Sequence, residues 1–596
     1  MMQRHLDLSG ELLVATISLL FLLWIGLPQT AIAEESVKVK VLIKGVADEL
    51  LENVRAYLSI EKPPSPLTEA ALRQLYKNSE NEIKKALQAF GYYHPVIRSE
   101  LARMPSEPAE AGSEWEARFE IDPGPRIFLK SVDIDIEGEG KEDKAFLDMV
   151  SGFSLHPGSP LLHEQYDNAK NSLQDLATER GYFDAKFTKH RLEVDTAADQ
   201  ASIILHIETG PRYKMGPVRF EPGPFDPDFL NLFVRFRPGV PYHSSYLLAM
   251  NKALSESGYF SNIEMRAMRE EAKDREIPIY VKVAPRKKYQ FSVGFGYGTD
   301  TGPRGLLGWE DRLVNSRGHR FTTELDVSLL RQTLIADYAI PLHRPETDAF
   351  HFRAGLKHEE TVTSDSKLAT LGIDRTRQRG KWLENLFLDY RWEAFEIGSE
   401  SGHSNLLLPG VSWTYISADD KIYPRFGRRI TLLIQGTDPV IGSDTRLLQG
   451  QVGGKLVLPI GPKARLLLRS EAGGLTTRDF DKIPASIRYF TGGDQTVRGY
   501  SYNSIGPRDS TGQVVGGHYL LIGSAESDYR ITEKIGAAVF YDIGNAFDNI
   551  SERFSQSVGI GGRWLSPVGP IRVDFAYAMN RPGISFRLHV NMGPDL

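Results

Sequence analysis

The sequence of 596 residues contains no cysteine. This absence excludes disulfide frameworks, thiolate metal sites and thiol-based catalysis. An excess of basic charge is also missing, because 71 lysine and arginine residues face 77 acidic residues and the net charge is −6. A nucleic-acid partner, which would require a basic surface, is therefore not expected. Long apolar runs are scarce too, and a mean hydropathy of −0.30 excludes a polytopic helical membrane protein.

One long apolar run does occur, at residues 12–27. It follows Arg4 and His5 and precedes the small residues of Ala31-Ile32-Ala33, which is the layout of a secretory signal peptide. The alternative is a retained membrane anchor, but a spanning helix needs about 20 apolar residues and this run is shorter. We therefore predict a signal peptide at 1–33 and a mature, exported protein that begins near Glu34.

A short pattern occurs three times between residues 37 and 284. Each copy has a Gly-Tyr-aromatic triplet after a helical pattern and, further along, a strand that ends in Pro-Arg. The glycine suits the left-handed residue that ends a helix. One copy would fit any α+β domain, whereas three copies in phase predict three tandem α+β modules, at 34–123, 124–209 and 210–286. The triplets are Gly91-Tyr92-Tyr93, Gly181-Tyr182-Phe183 and Gly258-Tyr259-Phe260.

From Tyr289 onward, apolar or aromatic residues alternate with small or polar ones, which is the period of a β-strand. In water this pattern would fit a large antiparallel sandwich. The polar face, however, carries charges such as Arg572 and Asp574 that a sandwich core would exclude. Strands of about ten residues with aromatic ends are typical of outer-membrane barrels. The region 287–596 is therefore predicted to be a transmembrane antiparallel β-barrel of about 16 strands.

Two long polar segments of this region are predicted to lie in extracellular loops. One covers residues 361–381, and the other covers 491–516, between the eleventh and twelfth strands. The first segment includes an alternating basic stretch that has two interpretations. It either contacts lipopolysaccharide phosphates or forms a solvated strand face. Its basic residues are Arg375, Arg377, Arg379 and Lys381.

The second segment contains an unusual motif, Gly492-Gly493-Asp494-Gln495-Thr496-Val497-Arg498-Gly499-Tyr500. It resembles the loop signature of the BamA/TamA superfamily of outer-membrane assembly barrels. The resemblance implies that the loop folds back into the barrel lumen and that Arg498 pairs with acidic residues of neighbouring strands. Two acidic residues match the family pattern: Glu526, and Asp542 within Phe540-Tyr541-Asp542-Ile543-Gly544. The alternative for Arg498 alone is a solvated loop arginine.

Arginine suits this role because the guanidinium group is a fixed fork of donors that can engage two carboxylates at once. The loop glycines permit the tight turns that an inserted loop tip needs. The site implied by the resemblance consists of the lumen-loop motif, two loop glycines, two latch partners and two strand-motif residues. In that order they are Val497, Arg498, Gly499 and Tyr500; Gly492 and Gly493; Glu526 and Asp542; Phe540 and Gly544.

The resemblance also implies a function. Three POTRA-like modules, a barrel and a Gly-Pro-acidic-Leu tail are most similar to the TamA branch, the outer-membrane subunits of the translocation and assembly module. Such a protein assembles autotransporters and other barrel proteins in the outer membrane of a Gram-negative bacterium, with its POTRA modules in the periplasm. The implied partners are a TamB-like periplasm-spanning inner-membrane protein, unfolded outer-membrane protein substrates and outer-membrane lipid. Substrate strands would pair with POTRA edges and then with the seam between the first and last barrel strands.

Other classes of function are weighed against this one. A two-partner-type secretion transporter that exports a dedicated polypeptide is the alternative. A passive porin would need neither the modules nor a lumen loop. The sequence also lacks a Gly-x-Ser-x-Gly elbow, a His-Glu-x-x-His motif, a P-loop and a dinucleotide-binding glycine triplet. No enzymatic activity, cofactor or metal site is therefore expected.

Overall fold

The computed structural model describes residues 37–104, 114–420, 422–566, 569–580 and 585–592. The predicted signal peptide at 1–33 and the tail at 593–596 lie outside the described residues. The chain divides into two compact units, one through Tyr213 and one from Lys214 onward. No helix in the described ranges is long and apolar enough to cross a membrane.

The first unit contains two modules of one design. In each, the third strand of the module lies at the centre of a three-stranded sheet, parallel to the first strand and antiparallel to the second. Two helices cover one face and bury an apolar core. The first module consists of β1 (Lys38–Lys44), α1 (Asp48–Tyr57), α2 (Glu69–Gln88), β2 (Val96–Arg103) and β3 (Glu114–Asp122). The second consists of β4 (Phe128–Glu137), α3 (Lys144–Ser151), α4 (His163–Arg180), β5 (Lys186–Asp195) and β6 (Gln200–Glu208).

The second unit begins with a third module of the same topology, which leads directly into a barrel. Its elements are β7 (Lys214–Phe220), α5 (Pro227–Asn231), α6 (Ser244–Glu256), β8 (Phe260–Ala267) and β9 (Glu276–Pro285). This third module packs against the turns at the nearer end of the barrel. Arg235 Nη2 donates to both carboxylate oxygens of Glu346, at 2.7 and 2.9 Å. The ring of Phe229 lies so close to Gly318 that a Cβ there would approach within 2.4 Å of it.

The repeated triplets and Pro-Arg pairs meet at the helix ends of the modules. The three triplet glycines are left-handed, with φ of +86°, +87° and +76° at Gly91, Gly181 and Gly258, as the pattern predicts. Arg126 Nε donates to the Phe90 carbonyl at 3.1 Å, and Arg212 Nε donates to the Arg180 carbonyl at 2.9 Å. In the first two modules the repeated arginine therefore binds a carbonyl group at or just after the end of the helix, whereas Arg286 Nε of the third module donates to the Phe260 carbonyl of β8 at 2.9 Å.

Sixteen antiparallel strands close into a barrel in sequence order, which confirms the expected number. Their large outward side chains are exposed, as in Phe291 and Phe295, which are 75% and 85% accessible. The strands are β10 (Tyr289–Gly298), β11 (Gly302–Asp311), β12 (Arg320–Ser328), β13 (Arg331–Pro341), β14 (Asp348–Glu360), β15 (Ser364–Arg379), β16 (Trp382–Ile397), β17 (Glu400–Ala418), β18 (Gly427–Thr437), β19 (Leu447–Ile460), β20 (Ala464–Thr477), β21 (Tyr519–Arg530), β22 (Ile535–Phe547), β23 (Ser555–Ser566), β24 (Gly569–Ala578) and β25 (Phe586–Met592).

The barrel closes weakly at one place, the seam between β10 and β25. Other neighbouring strands pair over at least seven residues, as β24 and β25 do. Across the seam, Gly298 and Asn591 are the only pair in register within the part of the chain that the structure describes. Among the described residues, nothing pairs with the seam-facing edge of residues 289–297.

The expectation of a long extracellular loop at 361–381 is wrong. Residues 364–379 form β15, and residues 361–363 form the turn before it, at the barrel end opposite the third module. The basic stretch therefore lies at the end of β15 nearest the third module, where Arg375 Nη2 donates to Asp348 Oδ2 at 2.8 Å. Of the two interpretations of this stretch, the strand face is therefore the one that fits its position. Polar residues on a barrel strand resemble a loop in sequence, since the inward face is hydrophilic.

Candidate functional site

The connection between β20 and β21, residues 478–518, folds into the barrel and is called the lumen loop. It contains the predicted motif, and its central residues are enclosed: Val497 has no accessible surface and Arg498 is 5% exposed. Gly492 and Gly493 adopt φ of +104° and +113°, a region open to glycine but strained for other residues. The inward turn of the loop therefore depends on these two glycines.

Arg498 engages three carboxylates on three strands. Its Nε and Nη2 donate to the two oxygens of Asp542 on β22, at 2.7 and 2.9 Å. Its Nη1 donates to Glu526 Oε2 on β21 at 2.6 Å and to Asp574 Oδ2 on β24 at 3.1 Å. The Arg498 backbone N–H also donates to Asp542, at 3.1 Å. A single guanidinium group thus joins the loop to β21, β22 and β24.

A second guanidinium group, that of Arg563 on β23, shares two of these carboxylates. Its Nη2 donates to Glu526 Oε1 and its Nη1 to Asp574 Oδ1, both at 2.6 Å. Arg469 adds a third positive charge nearby, and its Nη2 donates to the Thr496 carbonyl at 2.9 Å. The buried carboxylates are therefore surrounded by positive charges, which is how a buried ionic cluster avoids an uncompensated charge. We call Arg498, Arg563, Glu526, Asp542 and Asp574 the latch.

Two residues of the strand motif on β22, Phe540 and Gly544, lie directly against the lumen loop. The Phe540 ring lies beneath the Arg498 guanidinium, with Cζ 3.4 Å from the ring centroid, a cation–π arrangement. At Gly544, a Cβ atom would come within 2.9 Å of Val497 Cγ2. Glycine at position 544 is therefore what allows the loop to lie against β22.

The end of the motif contacts the last strands of the barrel. The Gly499 backbone N–H donates to His589 Nε2 on β25 at 2.9 Å. Tyr500 is 8% exposed, and its hydroxyl lies 3.5 Å from the Gln556 carbonyl. These contacts extend the loop from the latch to the seam.

A second anchor holds the first part of the loop to the opposite wall. Glu393 on β16, only 1% exposed, accepts from Ser366 Oγ at 2.7 Å, from the Ser486 N–H at 3.1 Å and from the Ser486 hydroxyl. Arg488 Nη2 donates to Glu400 Oε2 at 2.7 Å. Around this anchor, loop and wall bury an apolar cluster inside the barrel: Leu406, Leu408, Leu447, Leu475, Ile483, Ile487, Tyr489, Leu520, Ile522 and Ala546.

The structure brings together all ten residues implied by the sequence resemblance, around one loop. Sequence reasoning missed Asp574 and Arg563 as latch members and Glu393 as the second anchor. Asp574 was recognisable as a charge on the polar strand face, but its distance from Arg498 depends on how the barrel closes. Across the described ranges, no three acidic or histidine side chains converge in a way that would hold a metal ion.

Beside the seam, a cavity of about 650 Å³ opens between β10 and the lumen loop. Its wall on β10 is formed by Gly294, Gly296 and Gly298, and its other side includes Tyr502 and Asn591. The glycines leave the inner face of β10 bare. The inner face of β10 therefore borders open space and not packed side chains.

Family comparisons agree with this architecture. The family model described as the Omp85 superfamily domain matches residues 289–595. The model described as POTRA domain TamA domain 1 matches residues 40–123, and a POTRA model described as surface antigen variable number repeat matches 131–210.

The chain is also similar to individual proteins named as assembly factors and to one solved structure of such a protein. The outer membrane protein assembly factor BamA of Nitratidesulfovibrio vulgaris is 23% identical over 371 residues, which cover 58% of this chain and 46% of the relative. That of Neorickettsia risticii is 25% identical over 368 residues, covering 57% and 48%. The chain thus spans about half the length of these curated relatives. The crystal structure of BamA from Haemophilus ducreyi lacking POTRA domains 1–3 superposes with a TM-score of 0.67 at 16% identity, covering 78% of this chain and 99% of that one. The chain therefore belongs to the Omp85 superfamily and is an outer-membrane β-barrel protein with periplasmic POTRA modules.

Proposed function

We propose that this protein assembles other outer-membrane proteins by accepting their strands at the seam between β10 and β25. The observation that carries this proposal is the seam itself, where one residue pair of the described chain, Gly298 with Asn591, closes the barrel. The relatives named as assembly factors support the same class of function. Autotransporters and other barrel proteins are the proposed substrates.

The physical argument concerns the unpaired edge at 289–297. In a bilayer each unpaired backbone N–H or C=O group costs several kcal/mol, so this edge favours pairing with an incoming strand. The outward side chains of Phe291, Val293 and Phe295 are 64–85% exposed and suit contact with lipid. Strand pairing and lipid burial would supply the free energy of insertion. We propose no catalytic chemistry, cofactor or nucleotide for this step.

The modules suggest how substrates and a partner are held. Each module sheet has two edge strands, and such edges bind extended peptides by adding a strand. The match of residues 40–123 to a TamA-type first module supports placing the chain in the TamA branch. We therefore propose a TamB-like, periplasm-spanning inner-membrane protein as its partner.

The alternative, a secretion transporter for a dedicated polypeptide, would need a path through the lumen. The lumen loop occupies that space and is held by the latch on one wall and by Glu393 on the other. A polypeptide could pass only after both anchors had been released. Strand acceptance at the seam requires no such rearrangement, which favours assembly over export.

A reversible disulfide across the seam tests the proposal. Thr299 and Val590 face each other beside the seam pair, and the Thr299 N–H donates to the Val590 carbonyl at 3.1 Å. The chain has no other cysteine, so Thr299→Cys with Val590→Cys forms a unique cross-link. In liposomes, the oxidised variant should fail to insert an unfolded barrel substrate, measured by protease protection, and reductant should restore insertion.

The matched control is Leu371→Cys with Tyr390→Cys, outward residues paired in the fully bonded β15 and β16. That cross-link should leave insertion unchanged. Normal insertion by the oxidised seam variant would refute strand acceptance at the seam. Export of a polypeptide through the cross-linked barrel would instead identify a secretion transporter.

A further inference from the structure

The turn between β10 and β11 carries a buried carboxylate, Asp300, whose side chain is 1% exposed. Its Oδ2 accepts from the Asp494 backbone N–H of the lumen loop at 2.6 Å. Its Oδ1 accepts from Arg587 Nη2 of β25 at 3.1 Å. A Cβ at Gly493 would come within 2.5 Å of Asp300 Oδ2, so glycine at 493 leaves room for this carboxylate. Asp300 thus joins the first hairpin to both the loop and the last strand.

The last strand is already fastened to the lumen loop by each of its inward side chains. Arg587 Nη1 donates to Ser501 Oγ at 2.7 Å. His589 Nε2 accepts from the loop backbone at Gly499, and Asn591 Nδ2 donates to the Asp494 carboxylate at 3.2 Å. The latch holds the same loop to β21, β22 and β24. The loop and β25 are therefore joined to each other and to these strands as one unit.

The β10–β11 hairpin is joined to this unit far more sparsely. The main chain contributes the pairing of Gly298 with Asn591 and the adjacent contacts of Thr299 with Val590. Among the described residues, the hairpin's other hydrogen bonds to the loop or to β25 all end on Asp300. Those bonds are charge-assisted, and charge-assisted hydrogen bonds are stronger than neutral ones.

We infer that Asp300 is the positioning residue that keeps the seam closed, by tying the first hairpin to the lumen loop and to Arg587. Loss of this tie releases β10 and β11 while β25 stays with the loop. The inference rests on the proposed function only for its consequence, since a seam that opens more often accepts strands more often. The closure of the seam itself is a property of the free protein.

Distances across the seam test the tie directly. Leu307 on β11 and Phe575 on β24 are both 55% exposed and outward-facing, and cysteines at these two positions would be the only ones in the chain. Nitroxide labels there report the seam width in lipid nanodiscs by pulsed electron resonance. Asp300→Ala should raise the fraction of wide distances roughly tenfold, which corresponds to about 1.4 kcal/mol.

Two further variants separate the tie from general damage. Arg587→Gln keeps the bond from Asp494 to Asp300 and should give a smaller increase. Asp438→Ala is the matched control, because Asp438 is a turn aspartate that pairs with Arg446 between β18 and β19, on the opposite wall. It should leave the seam distances unchanged. The heat-modifiable gel mobility of each variant checks that the barrel has folded.

Unchanged seam distances in folded Asp300→Ala and Arg587→Gln proteins would overturn the inference. So would an equal widening in Asp438→Ala, since the effect would then be nonspecific. A wider seam with no gain in substrate insertion would leave the tie standing and would count against the proposed function instead.

Discussion

Replacement of Arg498 by alanine tests the latch most directly. The substitution removes the guanidinium group that Asp542, Glu526 and Asp574 share, all of which are at most 8% exposed. Removal of one partner from a buried ion pair costs about 3–5 kcal/mol, because the remaining charge is left uncompensated. The free energy of unfolding of the barrel should fall by about that amount. Arg563 and Arg469 still partly compensate the three carboxylates, but they do not replace the hydrogen bonds that Arg498 makes between the loop and the strands.

A second substitution separates pairing from general destabilisation. Asp542→Asn alone should cost less than Arg498→Ala, because Glu526 and Asp574 still accept from the guanidinium group. In the double variant, Asp542→Asn removes one of the carboxylates that Arg498→Ala leaves uncompensated. The combined cost should therefore be smaller than the sum of the single costs, by about 2 kcal/mol or more.

The assay is urea unfolding of the detergent-solubilised barrel, followed by the midpoint and slope of the transition. The matched control is Arg508→Ala, an exposed arginine of the same loop whose Nη1 donates to the Gly512 carbonyl. It should change the unfolding free energy by no more than about 0.5 kcal/mol. Strictly additive costs, within about 0.5 kcal/mol, would show that Arg498 and Asp542 do not meet and would refute the latch.

Two more predictions concern the lumen loop. Glu393→Gln weakens the second anchor and should raise ionic conductance in planar bilayers several-fold, whereas Glu396→Gln, exposed on the same strand, should not. Equal conductance of the two variants would show that the Glu393 anchor does not keep the lumen closed to ions. Burial and the adjacent Asp300 carboxylate raise the pKa of Asp494 to about 6. The protonated Asp494 side chain therefore favours the closed seam, so this stabilisation of the closed seam is complete at low pH and is lost as the pH rises through about 6. The wide-seam fraction should therefore increase between pH 4 and 7, an increase that Asp494→Asn should abolish; a flat profile would contradict this assignment. The other charged groups that act on Asp494 are Arg469 and Arg304.

The sequence alone determined the parts of this protein that depend on local patterns. The Gly-Tyr-aromatic triplets and the strands that end in Pro-Arg predicted repeated α+β modules, because the three copies are in phase and a helix end needs a left-handed residue. Strict alternation predicted the barrel, because successive strand residues face opposite sides. The loop motif and its family resemblance located Arg498, Glu526 and Asp542 without any knowledge of distance.

The tertiary structure decided which of the inward charges meet and where the barrel is weakly closed. Asp300 and Arg587 are 287 residues apart, and they meet only because the first and last strands close the same barrel. The strands that carry Asp574, Arg563 and Glu393 have sequence patterns similar to those of the neighbouring strands. The contacts of these residues therefore depend on strand register and on how the barrel closes. The error at 361–381 has the same origin. A polar alternation specifies which side of a strand is hydrophilic, but only the closed barrel specifies whether that side faces lumen or open solvent, and at which end.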